Sequence, residues 1–113
     1  MTAYDKDEVV LVPFPFSDQT VQKKRPAVVI SSNSYNRVSH DIIIMAVTSK
    51  IDKTFGIGER AIDNWEAAGL LKPSVIKPAI STIERTLVFK KLGRLSRKDS
   101  ASVKEALQEI IGI

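Results

Sequence analysis

Two short apolar runs rich in β-branched residues, Val9-Val10-Leu11-Val12 and Ala27-Val28-Val29-Ile30, limit what this chain can fold into. Both are too short and too branched for helices, and each is marked by proline on the side that faces the other. Pro13 and Pro15, within Pro13-Phe14-Pro15-Phe16, prevent the first run from continuing as a central strand, and Pro26 opens the second. The connecting segment ends on Gln22-Lys23-Lys24-Arg25, so the layout delivers three cations to one strand end.

The rest of the chain continues in short pieces. Asp41 to Val47 is a continuous apolar run, expected to be a strand buried on both faces at the centre of a sheet. Lys50 to Gly58 has no apolar periodicity and reads as a mobile loop, followed by a short strand at Glu59 to Ile62. Asp63 or Asn64 can cap one helical turn carrying Trp65, Ala67 and Ala68, which Gly69 ends by taking a left-handed backbone. Ser74 to Ile76, Ala79 to Ile83 and Thr86 to Leu92 give further strand-like pieces, separated by Pro78 and by Glu84-Arg85.

At the C-terminus the period changes. Ser96 with Asp99 resembles a capping box, and Val103, Leu107, Ile110 and Ile111 share one helical face. Arg97 and Lys98 in its first turn oppose the macrodipole at a cost of up to about 1 kcal/mol each. The expected fold is mainly β with short helices: a small SH3-like, partly open antiparallel barrel closed by a C-terminal α-helix.

A chain of 113 residues carries one core and not two, so a single domain over residues 1–113 is expected. Its composition, 43% hydrophobic and 27% charged, is that of a globular protein, and no run approaches the ~20 apolar residues of a membrane span. Asp5, Asp7 and Glu8 make the N-terminus acidic where a signal peptide is basic, which implies a cytoplasmic protein. With no cysteine there is no disulfide, thiolate nucleophile or cysteine zinc site. The net charge of +4 favours polyanionic partners without establishing one.

The ordered motifs resemble the MazF or PemK family, ribonucleases of bacterial toxin–antitoxin pairs. Asp7 to Phe14 is similar to the family's opening strand, and Arg25-Pro26-Ala27-Val28-Val29-Ile30-Ser31, followed by Tyr35-Asn36, to its second. Ala46-Val47-Thr48-Ser49 resembles the end of its third strand. Trp65 to Leu70, Ser74 and Ser81-Thr82-Ile83 are similar to a longer-looped PemK-like branch. The resemblance runs from about residue 7 to 111. It implies a metal-independent endoribonuclease acting on single-stranded RNA, mRNA in particular, as a homodimer silenced by a cognate antitoxin.

RNA can be cut without an external nucleophile, because a ribose 2′-OH can attack the neighbouring phosphate. The enzyme then has to move protons and stabilise charge. His40 is the only histidine, which excludes a paired-histidine mechanism within one chain, and beside Asp41 at a strand start it reads as structural or exposed. There is no H-E-x-x-H, and Asp5, Asp7 and Glu8 read as a solvated acidic face, so no metal and no cofactor is expected. Arginine, lysine and hydroxyl groups remain.

Arg25 is the leading catalytic candidate, since a guanidinium offers fixed bidentate donors to phosphate oxygens and stays charged. The resemblance implies a catalytic role for it, with proton donation as one form. Thr48 matches the family's second catalytic position, where its hydroxyl can bond a phosphate oxygen or the attacking 2′-OH. Ser49, Lys23, Lys24 and Lys77 are candidate substrate contacts. Phe14 and Phe16 either stack a base or fill the core, and Trp65 reads as core. Lys77-Pro78 stands where many relatives carry an acidic residue followed by Gln, which puts an acid/base role there in doubt. The alternative function is a non-catalytic small-barrel module that binds RNA or protein through the same basic face.

Overall fold

The computed structural model describes residues 2–13, 23–51 and 54–113. Phe14, Pro15, Phe16, Gln22 and part of the Lys50 to Gly58 loop lie outside these residues. Six strands form one antiparallel sheet: β1 (Glu8–Pro13), β2 (Lys24–Val29), β3 (Asp41–Thr48), β4 (Arg60–Ile62), β5 (Ser74–Glu84) and β6 (Lys90–Arg94). Their spatial order is β4-β5-β3-β2-β1-β6, so β4 and β6 form the two edges of a curled, open half-barrel. Two helices accompany the sheet, α1 (Asn33–Val38) and α2 (Arg97–Ile111).

Strand alternation divides the apolar residues between two faces. The interior holds Val9, Val28, Met45, Val47, Ile62 and Ile76, with Val103 and Ala106 of α2 packed among them. The other face holds Val10, Val12, Ala27, Val29, Ile42 and Ile44, closed by Tyr4 and Val88. β3 contributes to both clusters, which is why its sequence is apolar without alternation.

The gap between β4 and β6 is bridged by the turn at 63–69 together with α2. Gly69 adopts φ +81 and lies against β6 so closely that a Cβ there would stand 2.0 Å from the Leu92 carbonyl oxygen. Trp65 packs half-buried against the interior, and Asn64 O accepts the Ala68 N–H, closing the expected helical turn. Ser96 caps α2 by accepting the Asp99 N–H. The Asp99 carboxylate reaches back to the Ser96 hydroxyl at 3.2 Å and does more than close a capping box. It is buried and accepts the N–H groups of Asp63 at 2.9 Å and Asn64 at 2.8 Å, so one residue caps the helical turn and fixes α2 to it. Ile111 is not part of the apolar face of α2, being 58% exposed.

Three further readings are corrected. β5 is one strand across Pro78: Met45 pairs with Ile80 and Val47 with Ile76, so Lys77, Pro78 and Ala79 bulge opposite Ala46. A proline in the bulge sacrifices no ladder bond. Thr86 to Leu92 is not one strand, because Arg85–Leu87 forms a 3-10 turn before β6. The acidic N-terminus is not a solvated face either. Glu8 is buried against Lys91, Asp5 pairs with Arg94, and Asp7 accepts the Ser100 hydroxyl at 2.7 Å.

α1 was absent from the sequence reading. Ser32 caps it, and buried Asn36 shares a 2.5 Å hydrogen bond with Ser31, whose hydroxyl also accepts the Ile43 N–H of β3. Arg85 donates to the carbonyls of Asn36, Ser39 and Thr2, tying α1 to the N-terminal segment beside an open cavity of about 360 Å³.

Candidate active site

The two leading candidates stand at the same end of the β2–β3 pair. Ala27 lies opposite Ala46, and Pro26 has no N–H to continue the ladder. The paired residues run from Ala27–Ala46 to Val29–Ile44, and Arg25 and Thr48 each lie two residues beyond the Ala27–Ala46 pair, at one end of the two strands. Arg25 shares the outer face with Ala27 and Val29, and Thr48 shares it with Ile44 and Ala46. Strand alternation therefore puts the guanidinium and the hydroxyl on one face of neighbouring strands, at the same end of the pair. Val12 of β1 lies on the far side of Arg25, and Val75 of β5 on the far side of Thr48.

Both polar groups have unused capacity. The Nε of Arg25 is buried and has no hydrogen-bond acceptor among the described residues, while the side chain as a whole is only half-buried. Thr48 Oγ1 accepts the Lys50 N–H at 3.1 Å, which leaves the hydroxyl proton for another acceptor. Such a pair can donate to two oxygens of one phosphate group.

The electrostatics favour an anion. Some cations of the fold are neutralised: Arg60 by Glu109 at 2.7 Å, Lys91 by Glu8 at 3.2 Å, Arg94 by Asp5 at 3.0 Å and Lys98 by Asp63 at 3.0 Å. Asp63 also holds the Lys98 ammonium above its usual pKa through that hydrogen bond. Around the β2–β3 strand end, among the described residues, Lys23, Lys24, Arg25 and Lys50 have no carboxylate partner.

The other candidates are distributed unequally. Lys23 and Ser49 are exposed. Lys24 faces away from Arg25 and rests 3.9 Å above the ring of Phe89, which is 58% exposed. Lys77 lies on the outer face of β5, two residues from Val75, and donates to Glu59. The Glu59 carboxylate also accepts the Gly56 N–H at 2.7 Å, and Lys77 and that N–H hold its pKa below the usual range. Sequence reading missed Glu59, because it lies 18 residues from Lys77 and only the β4–β5 register joins them. His40 is exposed, and its carbonyl accepts the Arg85 N–H. Among the described residues, no three of His, Asp and Glu gather as a set that could hold a metal ion.

An open antiparallel barrel with an arginine and a threonine on one face at a cationic strand end defines a small-barrel protein whose strand end suits an anion. Residues 5–111 match the model of the PemK-like, MazF-like toxins of type II toxin–antitoxin systems, and the chain belongs to this family. Among solved structures it is similar to an endoribonuclease in complex with its cognate antitoxin from a mycobacterial species, at 17% identity and TM-score 0.79, over 98% of this chain and 97% of that one. It is also similar to MazF from Deinococcus radiodurans, at 22% identity and TM-score 0.77 over the whole of both chains. A MazE–MazF complex from the same organism matches at 18% identity and TM-score 0.76, over 100% of this chain and 99% of that one. At these identities the structural likeness carries the fold. No curated protein gives a significant match. Among the described residues, no helix is long and apolar enough to cross a membrane.

Proposed function

We propose that this chain is an endoribonuclease that cleaves single-stranded RNA through the 2′-OH of its substrate. The observation that carries the reading is that Arg25 and Thr48 stand on one face at the same end of the β2–β3 pair, near Lys23, Lys24 and Lys50, none of which has a carboxylate partner among the described residues. A bond forms between the ribose O2′ and phosphorus, and the bond from phosphorus to the 5′ oxygen of the next nucleotide breaks. The 2′-OH gives up its proton and the departing 5′ oxygen takes one up, leaving a 2′,3′-cyclic phosphate and a 5′-OH. Arg25 stabilises the negative charge gathering on the phosphoryl oxygens, and Thr48 donates its hydroxyl proton to one of them. Lys23, Lys24 and Lys50 attract the flanking phosphates.

The chemistry in this reading is metal-independent, since Asp5, Asp7 and Glu8 are committed to Arg94, Ser100 and Lys91. The active unit is a homodimer, and a cognate antitoxin silences it, as the endoribonuclease–antitoxin and MazE–MazF complexes suggest for this fold. The test is cleavage of single-stranded RNA by the purified protein in excess EDTA. Arg25→Ala is expected to lower the rate about 10²- to 10³-fold with the fold retained. Full activity of folded Arg25→Ala refutes the site, and activity that vanishes in EDTA and returns with Mg²⁺ refutes the metal-independent chemistry. Binding of RNA by the wild type without cleavage favours the non-catalytic module.

A further inference from the structure

The 3-10 turn at Arg85–Leu87 delivers the chain to the start of β6, and two contacts fix the backbone there. Val88 packs against the outer-face cluster, and the Phe89 N–H donates to the Leu11 carbonyl at 2.8 Å. The Phe89 ring, on this anchored backbone, is left 58% exposed. Among the described residues it is the most exposed aromatic ring: Tyr4 is buried, Tyr35 and Trp65 are half-buried, and Phe55 is 47% exposed. Core packing therefore does not account for a phenyl group here. Sequence reading considered base stacking at Phe14 and Phe16 and passed over Phe89.

The ring lies at the end of the sheet that carries the candidate site. Lys90, the residue after it, pairs with Leu11 near the end of β1, Val12 and Pro13 pair with Arg25 and Lys24 at the start of β2, and Thr48 ends β3. Only β1 separates β6 from β2, so the two strands run about 9.6 Å apart. Lys24 spans that gap, its Nζ standing 3.9 Å from the centre of the Phe89 ring, and it has no carboxylate partner among the described residues. An ammonium resting on an exposed ring face turns readily to a phosphate oxygen, because a charge-assisted hydrogen bond is the stronger interaction. The ring face it covered is then free for a base. Lys24 and Arg25 are consecutive and point to opposite sides of β2, so a strand crossing the end of β2 meets both.

We propose that Phe89 and Lys24 form a stacking subsite for the nucleotide next to the scissile phosphate: the ring takes the face of its base and the ammonium takes its phosphate. This rests on the endoribonuclease reading above and deepens it. An apolar ring beside a phosphate-binding cation matches one nucleotide of a single strand, which offers a π-face and a charge together. The subsite tolerates any base, because every base can stack. It selects unpaired strands, whose bases can be splayed out onto an aromatic ring.

The probe is an RNA strand that the wild type cuts at one position, with the reacting ribose 2′-O-methylated so that it binds uncut. Affinity and its salt dependence are measured for wild type, Phe89→Leu, Phe89→Tyr and Lys24→Gln, on this strand and on versions lacking one base beside the cut. Phe89→Leu should weaken binding about 5- to 150-fold at unchanged salt slope, and Phe89→Tyr should bind like the wild type. Lys24→Gln should make the slope shallower by about 0.7 in log K per log salt, the value for one phosphate contact to a single strand. Removing the stacked base should erase the difference between wild type and Phe89→Leu, which a loss of folding would leave intact. On the cleavable strand, Phe89→Leu should raise KM with kcat near the wild-type value. Equal affinity of wild type and Phe89→Leu, or a difference that survives removal of each base beside the cut, overturns the proposal; an unchanged slope in Lys24→Gln overturns the role of Lys24. If the wild type cuts no RNA, the endoribonuclease reading falls. Binding of a mixed-sequence single-stranded RNA then decides whether Phe89 takes bases, and equal affinity of Phe89→Leu refutes it.

Discussion

Replacing Arg25 with methionine should make the protein more stable and nearly inactive. The Arg25 Nε–H is buried with no acceptor, and an unsatisfied buried donor costs about 1–3 kcal/mol. Methionine keeps an apolar stem of similar reach beside Val12 and Ala27 while removing that donor, and it relieves repulsion from Lys23, Lys24 and Lys50. Stability should rise by about 1–3 kcal/mol, and Tm by several degrees, at about 2–8 °C per kcal/mol for domains of this size range. Cleavage should fall about 10²- to 10³-fold. Urea unfolding followed through the single tryptophan, Trp65, gives the midpoint and slope, and a fluorogenic RNA gives the rate. A lower midpoint at unchanged slope would mean that Nε finds an acceptor in solution, and retained cleavage would remove Arg25 from the site.

Asp99→Ala leaves the Asp63 and Asn64 N–H groups without their carboxylate and should cost about 2–5 kcal/mol in urea unfolding, with Asp99→Asn costing roughly half. A loss under 1 kcal/mol would mean that water replaces the cap. The depressed pKa of Glu59 makes the unfolded chain bind more protons than the folded one in acid, so this contribution is present above the usual value of 4.5 and is lost as pH falls through the lowered value. The raised pKa of Lys98 acts in alkali, where its contribution is present below the usual 10.5 and is lost as pH rises through the raised value. In pH-dependent unfolding, Glu59→Gln should flatten the acid limb and Lys98→Met the alkaline limb; unaltered limbs would contradict the two pairings.

The sequence carried the strands wherever burial demanded β-branched residues, as in β1, β2 and β3, and it carried Arg25 and Thr48 through the motifs at their strand ends. It did not carry their placement at one end of neighbouring strands, which is a property of register, and Pro26 has no N–H to donate there. α1 escaped because Asn33 to Val38 has no apolar period; the only local signal was the cap at Ser32. Pro78 looked like a break because a proline ends a regular ladder, whereas the bulge opposite Ala46 accommodates it. The second role of Asp99 escaped because its further partners, Asp63 and Asn64, lie more than thirty residues away in sequence. Glu59 escaped for the same reason.

The most direct test of the account is a single-atom change in the substrate. An RNA oligonucleotide cut by the wild-type protein is compared with one in which only the ribose 5′ to the scissile phosphate is deoxyribose. The phosphates that supply most of the affinity are unchanged, so both should bind alike. The all-ribose strand should be cut to a 2′,3′-cyclic phosphate and a 5′-OH, and the substituted strand should stay intact at that position. Efficient cutting of the deoxy site would contradict the account, because another nucleophile would then have attacked the phosphate assigned to the proposed Arg25–Thr48 site.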